Sequence, residues 1–194
     1  MKIFAIDPGP VESGWCIWDT AEPHLLWKNR EWKQKKKIFG KPAIAELGEP
    51  PFGKIDNRTL VGIIQLKAPQ VQAWAIESVA SYGMRVGKEV FDTCKWVGRF
   101  EVFIHHCQTQ TFPSWEPLQW PLLMPRTDVK MYLTGRATTK DSDIRASLIE
   151  RFGSQGKKDT PGVLYGISKD SWSAVALAVA TQMRLQERGM LPKQ

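Results

Sequence analysis

Residues 73–79 read AWAIESV, a run that is apolar on both sides of a single acid, Glu77. Apolar runs of this length are how a strand buried on both faces of an α/β sheet reads. An ionised carboxylate in such a strand carries a heavy desolvation cost unless a counter-charge meets it. Neither a turn nor a helix cap accounts for Glu77, so the fold has to bring it a cation. Two more carboxylates stand out. Asp7 ends the apolar run KIFAI directly before Pro8-Gly9-Pro10, where initiating a β-turn would also explain it. Asp170 opens a helix containing AVALAVA over 174–180, and a capping role would also explain it. Together the three favour a metal site. Mg²⁺ is a hard ion that takes carboxylate oxygens and retains waters. Two such ions about 4 Å apart can activate a water and stabilise the leaving oxygen in phosphodiester hydrolysis.

The pattern around these acids predicts a mixed α/β sheet. Strands are expected over 2–6, 14–19 and 24–32, the last two joined by a turn at Ala21-Glu22-Pro23, and another over 73–79. Three opening strands with tight connections suggest an antiparallel meander. The stretch from Lys33 to Lys54 is rich in Lys, Pro and Gly and reads as a loop or arm. Asp56 or Asn57 can cap a helix that turns Leu60, Ile63, Ile64 and either Leu66 or the stem of Lys67 inward. A long helix is expected from Gly87 to about Phe103, with Val90, Phe91, Cys94, Val97 and Val102 as its stripe. Residues 108–125 contain Pro113, Pro117, Pro121 and Pro125 and read as mostly irregular. Helices follow over 126–133, over 141–152, and from about Asp170 to Glu187.

A chain of 194 residues suits one α/β domain and is too short for two ordinary ones. Its 42% hydrophobic and 24% charged residues exclude a disordered polymer. No apolar run approaches the ~20 residues of a membrane helix, and no signal-peptide core precedes the first strand, so a cytoplasmic protein is expected. Cys16, Cys94 and Cys107 form no CxxC pair and read as reduced thiols rather than a disulfide framework or zinc site. Lys and Arg outnumber Asp and Glu by 27 to 20, a net +7 that suits a polyanion as well as it suits an ordinary basic surface. The segment 28–41 concentrates seven Lys/Arg residues, Lys35, Lys36 and Lys37 among them, against one acid. It could extend along a DNA arm, or be a solvated edge protected by lysines.

Four segments in order carry a family resemblance. KIFAIDPGPVESGWCIWD, AIES, VKMYLTGRATTKDSDIRASLIERFG and GISKDSWSAVALAVA resemble the motifs of the RuvC branch of the RNase H-like nucleases, and they span essentially the whole chain. The linking segment SYGMRVGKEVFDTCKWVGRF is most similar to phage-encoded members. The resemblance implies an RNase H-like fold with a mixed central β-sheet flanked by α-helices, in one nuclease domain over 1–194 with a basic arm around 28–54. It implies a homodimer, with the helix from Gly87 forming much of its interface. That dimer would bind a four-way (Holliday) junction and nick two opposed strands, leaving 5′-phosphate and 3′-hydroxyl ends.

On the matching positions, Asp7, Glu77 and Asp170 would be the catalytic acids holding Mg²⁺, two ions per site, with Mn²⁺ able to substitute. Lys130 and Lys140 fall at or near the family's basic positions, though solvated lysines at helix ends would read the same. Tyr82 is the best candidate for the residue that probes the junction centre, since an aromatic on a Gly-containing loop suits base stacking; packing onto its own domain is the other reading. Ser173 departs from the pattern, since many members carry a second acid there. Asp141 and Asp143 are possible substitutes, and capping of the helix that follows explains them equally well. Two alternatives stay open. One is a RuvC-like nuclease of broader taste for flaps, nicks or RNA. The other is a junction-binding protein with weakened catalysis, which Ser173 keeps in play.

Overall fold

The computed structural model describes residues 1–21, 52–80, 83, 86–111, 120–157, 159–168 and 171–192. Among them the sheet is built from β1 (Lys2–Asp7), β2 (Glu12–Asp19), β3 (Phe52–Asp56), β4 (Ala73–Ser78) and β5 (Leu122–Pro125), in the order β3-β2-β1-β4-β5. β1, β2 and β3 are antiparallel neighbours, whereas β4 and β5 run parallel to β1. The helices are α1 (Asn57–Lys67), α2 (Lys88–Thr111), α3 (Arg126–Thr134), α4 (Asp141–Phe152) and α5 (Ser171–Glu187). The expected mixed sheet flanked by helices is what forms.

Strand alternation divides the core in two. Phe4, Ile6, Trp15, Trp74 and Ile76 face α1 and α2, meeting Leu60, Ile63, Ile64, Phe100, Ile104 and Cys107. Ile3, Ala5, Cys16, Trp18 and Ala75 face the other way, onto α3, α4 and the small residues of α5. α5 is buried from Ala174 to Gln182 without a break, because Ala and Val let it lie flat across β1 and β2. Its hold on the sheet is polar as well as apolar. The Trp18 Nε1 donates to Gln182 Oε1 at 2.7 Å, and the Cys16 thiol donates to the Ala174 carbonyl at 3.2 Å. Burial pushes the Cys16 thiol up, away from any reactive thiolate, and none of the three cysteines forms a disulfide.

Several expectations need correction. Residues 52–54, expected as part of the loop, belong to β3, which pairs with β2 from Cys16↔Phe52 to Glu12↔Asp56. The strand expected over 24–32 lies outside the described residues. The long helix continues through Thr111 rather than ending near Phe103, and its inward side is Phe100, Ile104 and Cys107, while Phe91, Cys94 and Val102 are exposed. The reason is placement: only the C-terminal half of α2 lies over the sheet. Residues 122–125 form β5, a four-residue edge strand inside the segment read as irregular. In α1 it is Lys67 that is half-buried, while Leu66 is exposed.

Candidate active site

β1 and β4 are parallel neighbours in register, ending with the pair Ile6↔Ile76. One residue further along each strand come Asp7 and Glu77, so the two acids leave the sheet side by side. Alternation also sets their face. Ile6 and Ile76 pack towards α1 and α2, so Asp7 and Glu77 lie on the side covered by α3, α4 and α5. They line a cleft of about 230 Å³ with Pro8, Ser78, Val79, Ala80 and Arg126.

The turn after Asp7 is held by a small buried network. Gly9 is required there, because a Cβ would collide with the Glu12 carbonyl oxygen. The Gly9 carbonyl accepts from Asn57 Nδ2 at 2.9 Å, and the Ser13 hydroxyl donates to Asn57 Oδ1 at 2.6 Å. Asn57 N donates to the Val11 carbonyl at 3.0 Å. Asn57, a candidate cap on sequence, is thus the brace of the Asp7 turn; Asp56 does the capping, its carboxylate accepting from Thr59 N at 3.0 Å. Asn57→Ala is expected to destabilise the protein by about 1–3 kcal/mol, since it leaves the proton of the buried Ser13 hydroxyl without an acceptor and the Gly9 carbonyl without its donor. A urea midpoint equal to that of the unsubstituted protein would show that the turn stands without it.

Burial pushes the Glu77 carboxyl up to about 7, and the negative charge of Asp7 adds to the rise. Arg126 opposes it: its Nη1 donates to Glu77 Oε2 at 3.1 Å while its Nη2 donates to Asp141 Oδ1 at 2.9 Å. Sequence reasoning missed Arg126. The signal it left is a cation at the first position of a helix, where the helix dipole disfavours one.

Two close, hard-oxygen donors that repel each other fit a divalent cation by chemistry. No group of three or more His, Cys, Asp or Glu gathers closely enough to hold an ion among the described residues. The third expected donor, Asp170, lies outside them, as do Tyr82, Lys35, Lys36 and Lys37. What is described is the helix that follows Asp170 in the chain: α5 begins at Ser171, with Ser173 half-buried in its first turn.

The two candidate substitute acids part company. Asp143 caps α4, its carboxylate accepting from Lys140 N at 3.0 Å. Asp141 is joined to the site, through Arg126. Lys140 therefore stands next to a residue tied to the cleft, and Lys130 lies one turn after Arg126 on the same side of α3. Thr134 ties down the loop between them. Its hydroxyl is 2.8 Å from the Lys130 carbonyl and 3.1 Å from the Thr139 hydroxyl, and Gly135 ends α3 in the left-handed conformation at φ 71°.

No family model and no curated protein matches the chain. Solved structures do. A Thermus thermophilus RuvC structure aligns with a TM-score of 0.50 at 16% identity, covering 97% of each chain. T. thermophilus RuvC in complex with a Holliday junction substrate aligns with a TM-score of 0.55 at 14% identity, covering 97% of this chain and 96% of that one. The chain has a RuvC-like, RNase H-like fold.

Proposed function

We propose that the chain is a metal-dependent endodeoxyribonuclease that resolves Holliday junctions by paired nicks, leaving 5′-phosphate and 3′-hydroxyl ends. The observation that carries this reading is the placement of Asp7 and Glu77 one residue beyond the Ile6↔Ile76 pair of adjacent parallel strands, on the sheet face covered by the helix that follows Asp170. These three acids would hold Mg²⁺ or Mn²⁺, which when bound supplies an activated water and charge stabilisation for the leaving oxygen. The cleft beside them carries three charged side chains, Asp7, Glu77 and Arg126, which suits a phosphodiester with its metal ions. Lys130 and Lys140 would contact phosphates next to the scissile bond, and Tyr82 would stack at the junction centre. Support for a branched substrate comes from the shared fold with a RuvC structure that holds a Holliday junction.

A homodimer is part of the proposal. Val86, Phe91 and Val102 are exposed apolar residues on or just before α2, the helix that the resemblance assigns to the interface. No helix among the described residues is long and apolar enough to cross a membrane, in keeping with an enzyme that reaches DNA in the cytoplasm.

The test is a panel of labelled substrates, with and without Mg²⁺: a four-way junction, a flap, a plain duplex and an RNA–DNA hybrid. Paired nicks confined to the junction are expected. Cutting of flaps or hybrid at comparable rates would favour the broader nuclease. Junction binding without cleavage would favour a binding protein.

The basic arm has its own expected result. Neutralising Lys35, Lys36 and Lys37 together should lower the slope of log affinity against log salt by about 3 if each meets a phosphate. An unchanged slope would make the segment a solvated edge.

A further inference from the structure

Arg126 follows directly from the pairing of β4 with β5. Ser78 pairs with Pro125, so the next residue emerges beside the end of β4 and begins α3. The position is electrostatically poor for a cation, because a helix N-terminus carries partial positive charge. Pro125 offers no capping side chain to offset it. What holds the guanidinium is the pair of acids it meets, at 3.1 Å on Glu77 and 2.9 Å on Asp141. One planar fork thereby joins the end of β4 to the start of α4, a span that a lysine ammonium, as a single point, cannot reproduce. The two ends of the bridge differ. The Glu77 side chain is 16% exposed and the Asp141 side chain 75%, so the bridge is shielded at Glu77 and open to water at Asp141.

We infer that Arg126 is a positioning residue that holds Glu77 and competes with a divalent cation for its Oε2 oxygen, so that Arg126 sets the metal affinity of the site. The inference rests on the metal-binding reading above. The guanidinium and the cation compete for one carboxylate oxygen, and their charges repel across the cleft. Asp141 is the anchor that keeps the displaced guanidinium beside the cleft instead of in open solvent. This assigns Asp141 a task other than metal ligation.

The test is calorimetric titration of Mn²⁺ into the DNA-free protein, which reads binding and needs no catalysis. Arg126→Gln is expected to bind Mn²⁺ roughly tenfold more tightly than the unsubstituted protein, because a unit positive charge beside a divalent ion has been removed. Arg126→Lys keeps the charge but loses the two-ended fork and is expected to fall between the unsubstituted protein and Arg126→Gln, while Asp7→Asn serves as the control that loses the site. Circular dichroism establishes that each variant is folded. Equal or weaker binding by Arg126→Gln, with the unsubstituted protein binding normally, overturns this inference alone. So does an Arg126→Lys variant as tight as Arg126→Gln. Absence of any Asp7-dependent Mn²⁺ binding in every variant overturns the metal reading, and this inference with it.

Discussion

Glu77→Gln and Asp7→Asn are each expected to slow junction cleavage by about a thousandfold or more, with junction affinity unchanged or slightly raised. The size follows from losing a charged metal ligand whose ion contributes several kcal/mol to the transition state, at 1.4 kcal/mol per factor of ten. Affinity survives because phosphate contacts elsewhere supply most of it, and removing a negative charge that faces a phosphate helps binding. Asp170→Asn is expected to behave alike. Retained cleavage in any one variant would strike that residue from the site. Glu77→Gln also carries a signature that needs no DNA. The folded Glu77 carboxyl titrates near 7 against an ordinary 4.5. Its favourable contribution to folding is therefore complete below about 4.5 and is lost as the pH rises through about 7. The metal-free protein should lose thermal stability over that window. The Gln variant should lose less, and identical pH profiles would refute the buried-acid account.

Trp18→Ala is expected to be the most damaging single core substitution, costing about 3–5 kcal/mol and lowering the melting temperature by roughly 10 °C. Trp18 is fully buried, meets Phe152 edge-on with ring centroids 5.0 Å apart, and donates to Gln182. Its loss leaves a cavity and an orphaned amide oxygen together. Trp18→Phe should recover part of the loss by refilling the cavity while leaving Gln182 unpaired. A melting temperature within a degree or two of the unsubstituted protein for Trp18→Ala would mean that α4 and α5 close over the gap.

Much of this arrangement was legible in the residues, and the physical reasons are uneven. Glu77 stood out because an acid between apolar neighbours has no local explanation. β1, β2 and β4 were readable because their burial is a property of the strand itself. β5 was not, since Leu122–Pro125 is four residues that follow one proline and end on another, too short for alternation to register. β3 was missed because its half-exposed residues take their structure from pairing with β2, which lies more than thirty residues earlier in the chain. The α2 stripe misled because Phe91, Cys94 and Val102 have helical spacing but project beyond the sheet. Asn57 and Arg126 were visible as residue types, yet their roles depend on distant partners: Asn57 on the turn at Gly9, and Arg126 on Glu77 and Asp141.

The bonds from Cys16 to Ala174 and from Trp18 to Gln182 span 158 and 164 residues of chain. During synthesis, β1 and β2 leave the ribosome long before the helix α5 that packs on one of their faces. Until that helix emerges, Ile3, Ala5, Cys16 and Trp18 lack the cover of α5, and the nascent sheet shows water an apolar surface that invites pairing with other chains. Closure of so distant a contact also makes for slow folding. The helix adjoining the site is therefore also a late arrival for the strands it covers, and a ribosome that stalls between them leaves a chain in need of a chaperone.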